Sequence, residues 1–230
     1  QVSDNEWKPV TYEFPVGAPE TGKVERINPI PFKQTQQYLD DTFNDNFDGS
    51  KLNLEWNFRR VPKANTFSLT ARTGYLRLYA KPEIIDNRVQ ASLMGFRQRE
   101  SDFQYTTSIH FKPKKDGEEA GMSLFQKDNN YINFTLIKEQ GLMVLRVIHK
   151  DPKDDPQILK QEIISSYDGQ IMLKVVSKNN QYYYQYSLDQ GREYIVFMRS
   201  KGDLILSHRT GSYTGAYLGL YATGNGKSTK

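Results

Sequence analysis

From Tyr38 onward, apolar and polar residues alternate in short runs that turn residues interrupt. In Phe103-Gln-Tyr105-Thr-Thr107-Ser-Ile109-His-Phe111 every second side chain falls on one face. In 75–79 the same spacing puts Leu76 and Leu78 on one side. Comparable runs lie at 122–125, 131–136, 142–148, 158–164, 171–176, 182–188, 194–198, 204–207 and 216–222. A period of two belongs to β-strands, whose successive side chains point to opposite faces of a sheet. Between the runs stand Lys127-Asp-Asn-Asn130, Asp168-Gly169, Lys178-Asn179-Asn180 and Asp189-Gln190-Gly191. Gly and Asn tolerate the backbone angles of tight turns, so these clusters predict reversals. About a dozen strands at this spacing, with no helical period beyond a turn or two, predict an antiparallel sandwich or barrel. No repeat stands out, which disfavours a propeller.

Residues 1–37 break the pattern. Pro9, Pro15, Pro19, Pro29 and Pro31, with Gly17 and Gly22 among them, leave no period intact. This stretch is expected to be an extended leader or linker, laid against the domain through Trp7, Tyr12 and Phe14, with the β domain filling 38–230. A start at Gln1 rather than Met reads as a processed protein or a cut piece.

Composition narrows the function classes. The chain has 230 residues, enough to bury a core without staples. Its net charge of +4 is thinly spread, with no basic block, so nucleic acid and acidic membrane surfaces are not expected partners. No stretch approaches the ~20 apolar residues of a membrane span. The absence of cysteine excludes disulfides, thiolate zinc sites and thiol chemistry. His110, His149 and His208 are never paired at a ligand spacing, which leaves little material for imidazole metal sites or Ser-His-Asp catalysis. The 15 Tyr, 12 Phe and 2 Trp suit pleated sheets, and they also suit stacking on sugar rings.

Several constellations could carry chemistry. Asn44-Asp45-Asn46-Phe47-Asp48-Gly49 with Glu55 nearly fits a calcium loop, but its first ligand is neutral and its flanks read as strands, so an Asx-rich turn is expected. Glu100 and Asp102 are two residues apart, and two carboxyls on one strand face could act as nucleophile and acid if they lay about 5–5.5 Å apart. A solvated strand end is the competing reading. Arg59-Arg60 and Arg97-Gln98-Arg99 are the densest basic sites and could fork onto carboxylates. Asn133-Phe-Thr135 is a glycosylation sequon. Polar loops at 81–89, 151–156 and 209–215 offer room for a site, and Tyr213 and Tyr217 are the aromatics to watch there.

A family resemblance rests on longer motifs. Phe43-Asn-Asp-Asn-Phe47-Asp-Gly-Ser-Lys-Leu52-Asn-Leu-Glu-Trp56-Asn-Phe-Arg-Arg60-Val-Pro62 resembles the opening of the C-terminal domain of family 43 glycoside hydrolases, which are β-xylosidases and α-L-arabinofuranosidases. The likeness continues through Gly74-Tyr75-Leu76-Arg77-Leu78, Ala91-Ser-Leu-Met-Gly95-Phe-Arg97-Gln98, Phe111-Lys-Pro113 and Glu119-Ala-Gly121-Met-Ser-Leu-Phe125. It ends with Tyr213-Thr-Gly215-Ala-Tyr217-Leu-Gly219-Leu-Tyr221.

The resemblance implies a concanavalin A-like jelly-roll sandwich of two antiparallel sheets. It implies catalytic carboxylates in a separate N-terminal five-bladed propeller, expected to lie outside this chain. It also implies an aromatic-bearing loop of the sandwich that helps close a narrow pocket for plant-type pentose polysaccharides or oligosaccharides. Tyr213 is the candidate at that loop's tip, and Trp56 and Phe58 are expected in the core or an interface. Carbohydrate metabolism outside the cell or in the periplasm follows from the same likeness. The family's last strand has no counterpart before Lys230, which predicts an exposed sheet edge near 217–222. Sandwiches of this class often hold one structural calcium near the first strand, and Asp40, Asp41, Asp45 and Asp48 are the candidates. Alternation sends neighbours apart, however, so turn-forming roles without metal are expected for all four. Two other classes remain open: a stand-alone carbohydrate-binding module, and an autonomous hydrolase using Glu100 and Asp102.

Overall fold

The computed structural model describes residues 42–63, 65–211 and 213–229. The proline-rich leader, Asp40 and Asp41 lie outside the described residues. Contacts divide the chain into two units, Gln1–Asn44 and Asp45–Lys230, and the sandwich is the second.

Among the described residues there are thirteen strands: β1 (Asn57–Phe58), β2 (Phe67–Ser68), β3 (Arg77–Leu78), β4 (Ser92–Arg97), β5 (Phe103–His110), β6 (Glu119–Lys127), β7 (Asn130–Glu139), β8 (Leu142–Lys150), β9 (Gln157–Ile163), β10 (Gln170–Lys178), β11 (Gln181–Ser187), β12 (Ile195–Lys201) and β13 (Tyr217–Thr223). They form a seven-stranded sheet in the order β1-β4-β13-β6-β7-β8-β9, a four-stranded sheet in the order β12-β11-β10-β5, and a small β2-β3 ladder. Every strand pair is antiparallel.

Register explains the core. Met122, Phe134 and Val147 stand opposite one another on β6, β7 and β8, and all three are buried. They meet Leu173, Val175 and Tyr184 from the other sheet in one apolar cluster. The Phe134 ring lies 5.6 Å from Tyr184 and 5.8 Å from Phe197, so aromatic packing joins the sheets. The β10–β11 reversal is made by Asn179 and Asn180 at φ 51° and 57°, the left-handed pair that a two-residue hairpin of this twist requires.

Three local expectations need correction. The run at 204–207 is a 3-10 turn (Gly202–Ile205) followed by a short helix, α1 (Ser207–Thr210). There Leu204 and Ile205 pack on the same core although they are neighbours, which a pleated strand would not allow. The strand expected at 75–79 is reduced to β3. The edge expected near 217–222 does not exist, because β13 lies inside the large sheet, paired with β4 on one side and β6 on the other. β4 carried no alternation because Ser92 through Gly95 are all buried. Its Leu93 joins a second cluster with Ile85, Ala91, Tyr131 and Tyr221 on the opposite face of that sheet.

Candidate functional site

The segment between β12 and β13 carries the loop that the sequence singled out. It descends through the 3-10 turn into α1, whose end is set by Gly211 in the left-handed region at φ 60°. The loop then passes Tyr213 and returns to the sheet at Tyr217.

Hydrogen bonds close this segment onto itself. Gln126 sits on the core-facing side of β6, two residues beyond Leu124, and is 3% exposed. Its Nε2 donates to the Thr214 carbonyl at 2.9 Å and to Thr214 Oγ1 at 3.2 Å. Its Oε1 accepts from the Thr210 hydroxyl at 3.0 Å. Ser207 Oγ also donates to the Thr214 carbonyl, at 2.7 Å. Arg209 ties the base of the loop to the neighbouring 151–156 loop, donating to Asp151 at 3.0 Å and to the Asp203 carbonyl at 2.8 Å.

On this anchored frame Tyr213 is fully exposed, at 105% of its reference surface. Tyr217 is half-buried, and Arg97 of β4 donates to its hydroxyl at 2.8 Å while the guanidinium lies 5.0 Å from the ring centre. A side chain at Gly215 would place its first carbon 3.3 Å from Arg97, so the glycine leaves the guanidinium its room. The loop thus offers an unencumbered phenol ring at Tyr213 and, four residues on where it rejoins the sheet, a cation paired with a second phenol. Such a surface can stack on a sugar's C–H face and donate to its hydroxyls.

His149 stands beneath this frame, nearly buried on β8. Burial holds its imidazole below the ordinary histidine range. A backbone hydrogen bond to Leu204 and the charge of Asp151 pull it back up, and Arg209 pushes it down. Its Nε2 has no hydrogen-bond partner.

The other sequence candidates fall elsewhere. Glu100 and Asp102 are exposed ahead of β5, and Asp102 accepts from the Asn179 backbone N–H at 3.1 Å, closing a loop contact. Asp45 accepts from the Phe47 N–H at 2.9 Å and from Trp56 Nε1 at 2.7 Å, so both its oxygens serve the turn. Asp48 is exposed, and Glu55 accepts from Arg99 at 2.7 Å. Among the described residues no cluster of three His, Cys, Asp or Glu could hold a metal ion. Arg59 and Arg60 do reach a shared carboxylate, that of Asp128. Trp56 is buried, stacked near Phe47 and edge-on to Phe96, and Phe58 stacks on Phe67. Asn133 of the sequon is 5% exposed, which leaves no access for a glycan.

Sequence reasoning missed Gln126 and His149. Gln126 was discoverable: it continues the inward series Met122, Leu124 as a polar residue at a core-facing position. His149 gave no such signal, since its burial depends on the turn at Gly202–Ile205, itself read as a strand.

Comparison with known proteins bears on this geometry. Residues 44–230 match the family model of the β-xylosidase C-terminal concanavalin A-like domain. The chain is 27% identical over 224 residues to a non-reducing end α-L-arabinofuranosidase of Bacteroides ovatus, covering 96% of this chain and 41% of the relative. It is 31% identical over 171 residues to a xylosidase/arabinosidase of Butyrivibrio fibrisolvens, covering 71% of this chain and 31% of the relative. The chain therefore spans about two-fifths or less of the length of each. Among solved structures, a Bacteroides ovatus family 43 protein of a xyloglucan locus superposes with a TM-score of 0.75 at 22% identity, over 84% of this chain and 38% of that one. A xylan β-1,4-xylosidase from Bacillus halodurans superposes with a TM-score of 0.75 at 16% identity, over 88% and 40%. These superpositions establish the shared sandwich fold. With the family model covering nearly all of the described sandwich, the chain belongs to the concanavalin A-like C-terminal domain family of family 43 glycoside hydrolases.

Proposed function

We propose that this chain is the accessory sandwich of a pentosidase and that its Tyr213 loop helps wall the sugar pocket of a catalytic propeller. The acid/base carboxylates would lie in that propeller, with residues 1–37 as the connection to it. The observation that carries the reading is the full exposure of Tyr213 on a loop held by four hydrogen bonds, three donated by Gln126 and Ser207 to Thr214 and one accepted by Gln126 from Thr210. A large ring held out in water by a hydrogen-bonded loop is free to pack on a second surface. The neighbouring Arg97–Tyr217 pair adds a hydrogen-bonding edge.

The substrates would be pentose polysaccharides or oligosaccharides of plant type, as the relatives' names suggest for those enzymes, and the place of action outside the cell or in the periplasm. Among the described residues no helix is long and apolar enough to cross a membrane. The exposure of Glu100 and Asp102, with Asp102 taken up by the Asn179 N–H, supports an accessory role over an autonomous one.

The chain alone tests this reading against its competitors. Calorimetry with neutral xylo- and arabino-oligosaccharides, and turnover of nitrophenyl pentosides, are measured on the same preparation. Neither millimolar binding nor turnover is expected, because the pocket needs its second wall. Binding that Tyr213→Ala abolishes would make this a stand-alone binding module. Turnover that Glu100→Gln and Asp102→Asn abolish would make it a hydrolase.

A further inference from the structure

The outer face of the four-stranded sheet carries charge of one sign. The strands β5, β10, β11 and β12 contain no Asp or Glu at all. Their cations are Lys174, Lys178, Arg199 and Lys201. Register places all four on the outward side: Lys174 and Lys178 alternate with the core residues Leu173 and Val175, and Arg199 and Lys201 stand opposite the outward Tyr183 and Gln181, while Met198 and Ser200 stand opposite the core residues Tyr184 and Tyr182. None of the four enters an ion pair among the described residues.

Carboxylates flank the sheet ends at Asp102, Asp168, Asp189, Glu193 and Asp203, and three of them are engaged elsewhere, Asp203 with Arg209 at 3.9 Å. Asp189, in the β11–β12 turn, accepts from Ser187 Oγ at 2.6 Å and from the Glu193 N–H at 3.1 Å. Asp102 accepts from the Asn179 N–H at 3.1 Å.

Spacing follows from the pleat. Arg199 and Lys201, two residues apart on β12, lie about 7 Å apart, and Lys178 stands opposite Lys201 across β11, about 10 Å away. Two of the cations are steadied by rings: Lys174 Nζ lies 3.4 Å from the Tyr194 centre and the Arg199 guanidinium 5.1 Å from that of Tyr183. Between them Gln181 and Gln185 present amides that can bond sugar hydroxyls. The face therefore mixes separated positive points with neutral hydrogen-bonding and aromatic surface, rather than forming a continuous basic stripe.

We propose that this face binds a polysaccharide with a neutral backbone and scattered carboxylate branches, a xylan bearing uronate side groups. The polymer class rests on the pentosidase reading. The requirement for carboxylates rests on the face itself. It would hold acidic polymer on the four-stranded sheet, whereas the Tyr213 loop ends on β13 of the seven-stranded sheet.

Affinity electrophoresis of the chain through a gel containing glucuronate-bearing β-1,4-xylan tests this. Retardation is expected, weakening with added salt as the ionic contacts are screened. It should disappear when the xylan carboxyls are reduced to alcohols, and weaken at least tenfold in Lys178→Glu/Lys201→Glu, whose exposed positions leave the far-UV spectrum and melting unchanged. Equal retardation by the carboxyl-reduced polymer would overturn the proposal. So would equal affinity for polygalacturonate, duplex DNA or anionic phosphatidylserine vesicles, which would make the face a general polyanion binder. No retardation by any polymer would also overturn it, while leaving the Tyr213 reading intact, since that is read on small neutral pentosides.

Discussion

Gln126→Met removes both hydrogen-bonding ends of the side chain that clamps the Tyr213 loop while keeping its length and volume. The Thr214 carbonyl retains the Ser207 hydroxyl, and the Thr210 hydroxyl retains the Ser207 carbonyl at 3.0 Å, so neither partner is left bare. The loss is therefore one acceptor bond at Oε1 and one Nε2 donation shared between the Thr214 carbonyl and hydroxyl, without a full desolvation penalty, about 1 kcal/mol for each end, or about 2 kcal/mol in all. For a domain of this size that corresponds to a fall of about 4–8 °C in melting temperature. The loop should loosen before the sheets do, because its remaining ties to β6 and the neighbouring loop are few. Thermal unfolding followed by circular dichroism measures the first effect, and hydrogen exchange of the amides from Gly211 to Ala216 measures the second. Tyr213→Ala serves as the contrast, since a fully exposed side chain should change stability by no more than about 0.5 kcal/mol. A Gln126→Met protein that melts within 1 °C of the parent (about 0.3–0.5 kcal/mol) with unchanged loop exchange would refute the claim that Gln126 frames the site.

Other perturbations follow from the same geometry. Glu119 is 2% exposed and accepts from Arg146 at 2.6 Å, Thr135 at 2.5 Å and Asn225 at 2.8 Å, so Arg146→Met should cost about 3–5 kcal/mol in urea unfolding by stranding the carboxylate. Gly121→Ala would drive its new carbon into the Phe134 carbonyl and to 2.6 Å from the Thr135 Cα, both backbone, and should cost at least about 1–3 kcal/mol in the same assay, against a much smaller effect for Gly49→Ala, whose new carbon would meet nothing closer than 3.5 Å at an ordinary backbone conformation. His149 has a folded pKa below its unfolded value near 6.5, so the unfolded chain binds the extra proton first. Its contribution is complete above pH ~6.5 and is lost as pH falls toward the folded value, and His149→Gln should flatten the decline of melting temperature between pH 7 and pH 5.

The sandwich was legible in the sequence wherever one strand face is wet and the other dry. β5 alternates in sequence, and β10 and β11 alternate in burial, because among the described residues one face of the four-stranded sheet packs on the core and the other does not. β4 was not legible by the same rule: Ser92 to Gly95 are buried on both faces, and a strand covered twice has no polar side to mark its period. The stretch at 204–207 failed for the opposite reason. Leu204 and Ile205 look like a strand fragment, but the Gly202 N–H bonds the Asn180 carbonyl at 2.9 Å and turns the chain over the end of the core. That tertiary contact has no local signature. The exposed loop aromatic could be anticipated from the turn residues around Tyr213. What holds it in place could not, because Gln126 lies on a strand 84 residues away from Thr210 and 88 from Thr214. The acidic residues at the first turn illustrate the same limit: that Asp45 accepts from Trp56 Nε1, eleven residues on, has no signature in the turn itself.

The most direct test of the central claim is the kinetics of Tyr213→Ala in a polypeptide that carries this sandwich together with the proposed catalytic propeller, assayed on nitrophenyl β-xyloside and α-L-arabinofuranoside. Burying one face of a phenol ring against sugar or pocket wall corresponds to about 1.5–3 kcal/mol, so kcat/KM should fall about tenfold to a hundredfold. The melting temperature should stay where it was, since the ring touches nothing that the fold depends on. Unchanged kcat/KM in a Tyr213→Ala enzyme that melts like its parent would contradict the assignment of this loop to the sugar pocket.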